Sequence, residues 1–85
     1  MKFEVREIDA MMMEGMDGNE WCWNSSFHIG EFTTNAKNIR RAFTNYLRKL
    51  DISFLLNRTV IEFDGDVYEI LDRKTKAPLF AAIPA

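Results

Sequence analysis

The stretch from Asn35 to Leu50 does most to limit what this chain can fold into, because its apolar residues recur at helical spacing. Ala36, Ile39, Ala42, Phe43, Tyr46, Leu47 and Leu50 gather into one stripe on a helix of about 3.6 residues per turn. Thr33, Thr34 and Asn35 stand just ahead of the stripe, and any of them can supply the N-cap oxygen. Arg48 and Lys49 fall in the last turn, where cations suit the negative end of the helix dipole. The spacing therefore predicts a helix over 35–50. Its other face is basic, with Lys37, Arg40, Arg41, Arg48 and Lys49 and no Asp or Glu in the stretch.

The flanking segments read as strands. Lys2 to Ile8 alternates in part, with Phe3 and Val5 on one side and Glu4 and Arg6 on the other, although Ile8 breaks the alternation. Ala10 to Glu20, with Gly15, Gly18 and Asp17-Gly18-Asn19, is predicted as a connecting loop. It holds Met11, Met12, Met13 and Met16, which either cap the edge of a small core or form an adaptable contact patch. Trp21 to Phe32 is predicted as the second strand. Trp21, Trp23, Phe27 and Ile29 share one parity and Cys22, Asn24, Ser26 and His28 the other, with room for a bulge at Asn24-Ser25-Ser26. Gly30 would relieve crowding or allow a bend near its end. Asp51 to Asn57 is open between helix and coil. Thr59 to Phe63 and Val67 to Leu71 flank Asp64-Gly65, the signature of a tight hairpin. A turn at Arg73-Lys74-Thr75-Lys76 leads to a last strand from Leu79 to Ile83, where Pro78 suits an edge strand or a strand's first residue.

The expected fold is α+β: a single antiparallel sheet with one amphipathic helix packed on one face, in the order β-β-α-β-β-β. With 85 residues and 47% hydrophobic content, the chain is one domain, 1–85, with room for one modest core. The inner face is expected to offer Trp21, Trp23, Phe27 and Ile29 to the helix stripe.

Function is less constrained. Lone Cys22 allows no internal disulfide, no Cys/His spacing builds a zinc site, and neither a secretory signal nor a membrane span is visible. A cytoplasmic protein without cofactor or metal is expected, and the sequon matches at Asn24 and Asn57 then carry little meaning. Ser26 and His28 are only neighbours on one strand face, and Cys22 lies too far along the strand from His28 for proton transfer. Glu62, Asp64, Asp66 and Asp72 lack the spacing of a calcium loop. Enzymatic activity is not expected.

Charge is the sharper signal. The net value of −2 hides a sorted pattern: segments 1–34 and 51–72 are each acidic, the helix between them is wholly basic, and Arg73, Lys74 and Lys76 follow. The candidate binding residues are Lys37, Arg40, Arg41, Arg48, Lys49, Arg73, Lys74 and Lys76. They would meet an acidic protein surface or a phosphate backbone. The acidic flanks put a protein partner or a homo-dimer ahead of nucleic acid, and no membrane is expected.

The run Trp21-Cys22-Trp23-Asn24-Ser25-Ser26-Phe27, then Gly30-Glu31-Phe32, then Ala36 to Phe43 resembles small uncharacterised proteins of plasmids, conjugative elements and phages of Gram-positive bacteria. The resemblance covers about half the chain. It implies a mobile-element accessory role and brings no catalytic residues.

Overall fold

The computed structural model describes residues 1–16, 18–50 and 57–85. Strand β1 runs Lys2–Gly15 and β2 runs Gly18–Thr33; a 3-10 turn at Ala36–Asn38 leads into helix α1, Ile39–Lys49; β3, β4 and β5 are Thr59–Asp64, Val67–Asp72 and Pro78–Pro84. The protein is α+β, with one α-helix and one five-stranded antiparallel sheet among the described residues. The 3-10 turn is the element that the expected order lacked.

In space the strands run β2-β1-β5-β4-β3. The chain leaves the sheet at one edge, β2, and re-enters at the other, β3, and α1 lies in that crossing. One face of the sheet is thereby covered by the helix and the other is left open. Asn35 starts the crossing by accepting from the Lys37 backbone N–H at 3.1 Å, so it caps the 3-10 turn. Of the predicted stripe, Ile39, Phe43 and Leu47 are buried, while Ala36 and Leu50 at its two ends are exposed.

The core joins these three residues to Phe3, Val5, Ile70, Phe80 and Ala82. Each large side chain removed from water contributes roughly 1.5–3 kcal/mol. Rings continue the contact across the sheet: Phe43 stacks on Phe32 at 5.9 Å, Phe32 on Phe3 at 5.4 Å, and Phe3 meets Tyr68 edge-on at 6.4 Å. The last contact crosses central strand β5, where Ala82 pairs with both Val5 and Tyr68 and is fully buried. A small residue there leaves space for the two rings.

Two expectations need correction, the loop over Ala10 to Glu20 and the common face of Trp21, Trp23 and Phe27. The segment Ala10 to Glu20 is not a loop, because β1 and β2 stay paired from Lys2–Thr33 to Gly15–Gly18. Pro78 is the first residue of β5, one of the two places expected of it, and β5 is a central strand. Trp21 and Trp23 do not share a face with Phe27. The question over 51–57 lies outside the described residues except at Asn57, which is in 3-10 conformation. The Asp64-Gly65 hairpin is present, with Asp64 paired to Val67 and Gly65 at φ 63°.

Candidate functional site

Two bulges decide what the open face presents. Between Asp9 and Ala10 the pairing on β2 steps from Ser25 to Trp23, and between Val5 and Arg6 it steps from Gly30 to His28, so Asn24 and Ile29 are extra residues. Each extra residue reverses the parity of everything beyond it. Directly paired residues share a face. Phe32 with Phe3 and Phe27 with Glu7 therefore point to the helix side, whereas His28 with Arg6, Ser26 with Ile8 and Trp23 with Ala10 point to the open side.

Beyond Glu7, among the described residues, β1 pairs with β2 alone. The distal hairpin, residues 8–15 and 18–26, is a two-stranded ribbon about 25 Å long at 3.3 Å per residue. Its tryptophans tie it to the β4–β5 end of the sheet. The Trp21 indole N–H donates to the Thr75 carbonyl at 2.8 Å. Trp21 and Trp23 line a cleft of about 460 Å³ together with Glu62, Glu69, Leu71 and Lys76. Leu71, with Ile8 and Ala81, forms a second group of buried residues outside the helix-facing cluster.

Within this cleft Glu62 pairs directly with Glu69 across β3 and β4. Burial pushes the Glu69 carboxyl above its usual range; Asp64 and Glu62 add to the rise, and the Trp23 indole, donating toward it, pulls the other way. Lys76 approaches Glu62 at 3.9 Å.

Further along the same face, Glu4 lies between two partners, the His28 Nδ1 at 2.6 Å and the Arg6 Nη1 at 2.9 Å. Arg6 also donates to the Ser26 hydroxyl at 2.7 Å and the Ser26 carbonyl at 2.9 Å. The His28 contact, followed by Arg6, holds the Glu4 carboxyl below its usual range. Ser26 is thus engaged by arginine and His28 by glutamate, which is a structural network. Cys22 pairs with Met11 and faces the helix side, opposite to His28.

The predicted basic residues are all exposed. On α1, Arg40 donates to the Ile61 carbonyl at 3.0 Å, and among the described residues no ion pair joins Lys37, Arg40, Arg41, Arg48 or Lys49 to a carboxylate. Arg73, Lys74 and Lys76 are not one group with common surroundings. Arg73 reaches the Thr59 carbonyl at 3.4 Å, Lys74 offers its backbone N–H to Asp72, and Lys76 turns toward Glu62. The carboxylates do not converge either. Asp72 accepts from the backbone N–H groups of Lys74 and Thr75 at 2.8 and 2.9 Å, and β4 separates it from Asp64 and Asp66 by about 20 Å. Among the described residues no three His, Cys, Asp or Glu side chains are placed to hold a metal ion, and no helix is long and apolar enough to cross a membrane.

The ribbon and its two ends carry exposed apolar side chains. Met11, Met12 and Met13 are 44–49% exposed, Phe27 is 59% exposed, and Met16 stands wholly in solvent. Sequence reasoning missed two features of the open face. The Glu62–Glu69 pair was legible from the Asp-Gly turn, which sets the β3–β4 register. The Glu4–His28 pair was not, because it depends on the bulge at Ile29. No protein family matches the chain, nor does any curated protein or solved structure.

Proposed function

We propose that the protein is a non-enzymatic binding module that docks a protein partner, or a second copy of itself, on its distal hairpin. One observation carries this reading: Met11, Met12 and Met13 are exposed on a ribbon that extends beyond the strand pairing of the sheet, with exposed Met16 past its end and exposed Phe27 at its base. Exposed apolar residues gathered on one element mark contact surfaces more often than scattered ones do, and methionine adapts to varied partners. The role of a cytoplasmic accessory protein of a mobile element agrees with the resemblance of segment 21–43. Affinity capture from the host lysate, paired with sedimentation equilibrium, tests the reading. The intact chain should retain a partner or self-associate, and Met11→Gln/Met13→Gln/Phe27→Ser should do neither while staying folded. Equal behaviour of the two proteins removes the reading.

A second reading, nucleic-acid binding, is favoured by the helix cations that have no carboxylate partner among the described residues. Lys37, Arg40, Arg41, Arg48 and Lys49 would carry it, with Arg73, Lys74 and Lys76 as further contacts. Gel shifts should then show binding at low salt that weakens steeply as salt rises. No shift at low salt excludes it.

A further inference from the structure

We infer that the cleft between Trp21, Trp23 and the Glu62–Glu69 pair binds an arginine side chain carried on a segment of the protein partner. The inference rests on the protein-binding reading and names the chemistry of the partner. Glu62 and Glu69 face each other across adjacent strands, an arrangement in which like charges repel. Lys76 offers the cleft one cation, loosely, at 3.9 Å from Glu62. With Glu62, Asp64 and Glu69 all lining the cleft, negative charge exceeds positive charge by two. Burial first, and then the nearby Asp64 and Glu62, hold the Glu69 carboxyl above its usual range.

The walls specify which cation completes the cleft. Two indoles next to carboxylates suit a flat, delocalised cation, which stacks on an aromatic ring while its N–H fork bonds to carboxylate oxygens. A guanidinium does both, whereas a bare metal ion would use neither indole. The volume of about 460 Å³ falls within the range of about 300–1,000 Å³ typical of ligand sites. Leu71, beside the tryptophans, offers an apolar surface to the methylene stem.

The test is a nuclear magnetic resonance titration of the whole chain with the peptide acetyl-Gly-Arg-Gly-amide, following the two indole N–H signals. A saturable shift of the Trp23 signal is expected. It should weaken about tenfold when citrulline, which is neutral and similar in shape, replaces arginine, and by a similar factor in Glu69→Gln. The citrulline comparison uses the unaltered protein, so it stands even if a variant folds poorly. No shift, an equal response to citrulline, or an unchanged response in Glu69→Gln would overturn the inference. Loss of arginine binding with partner capture intact sinks the cleft alone. Arginine binding without partner capture or self-association sinks the docking reading instead.

Discussion

The hydroxyl of Tyr46 donates to the backbone carbonyl of Ile29 at 3.3 Å and lies directly over Gly30. A Cβ at residue 30 would overlap that hydroxyl. The contact seats the helix on edge strand β2 beside the Ile29 bulge, so helix packing and strand register are coupled at this point. Gly30→Ala should destabilise the fold by about 1–3 kcal/mol through overpacking. Tyr46→Phe should restore part of the loss in the double variant, since it removes the overlapping atom. Urea denaturation of the four proteins checks the coupling; strict additivity would refute it.

Phe43 is fully buried and stacks on Phe32. Truncation to alanine costs about 3–5 kcal/mol, a large share of the roughly 5–15 kcal/mol that holds a domain together. Phe43→Ala should therefore lower the unfolding midpoint strongly. Arg41→Ala on the exposed face of the same helix should leave it nearly unchanged, and thermal unfolding followed by circular dichroism compares them.

Acid should weaken the fold through two carboxylates. Glu4 is held below its usual range first by His28 and then by Arg6, and Asp72 by the backbone N–H groups of Thr75 and Lys74. A carboxyl with a lowered folded value stabilises fully above its unfolded value, and that contribution is lost as pH falls through the folded one. Stability should thus decline from about pH 4.5 downward, the ordinary value for Glu4. Glu4→Gln and Asp72→Asn should each show a shallower decline in urea titrations across that range.

Glu69 has the opposite sign. Its folded value is raised, first by burial, so the native state holds the proton more tightly and loses stability as pH rises from 4.5 to the raised value. Glu69→Gln should be more stable than the parent at pH 7, and the difference should vanish below pH 4.5. A variant that is less stable at pH 7 would show that the carboxylate is compensated in the cleft.

The sequence by itself determined the helix, the hairpin at Gly65 and the antiparallel α+β class, because each rests on local periodicity or turn chemistry. Ile39, Phe43 and Leu47 are buried as their 3.6-residue spacing requires. The faces of β2 were decided by tertiary structure alone. Alternation assigns Trp21, Trp23, Phe27 and Ile29 to one side only if the strand pairs without interruption, and the extra residues Asn24 and Ile29 break that condition. A bulge leaves little local trace, since it is set by what the strand packs against; here Phe32 must meet Phe3 and Phe43 while Gly30 passes beneath Tyr46. Strand order was likewise beyond local reading. Alternation along Leu79 to Ile83 does not tell a central strand from an edge, and the small buried side chains of Ala81 and Ala82 acquire their meaning only with β1 on one side and β4 on the other. The cleft follows from these choices, because Trp23 and Glu69 lie far apart in sequence and meet only once the bulge at Asn24 has turned the tryptophans to the open face.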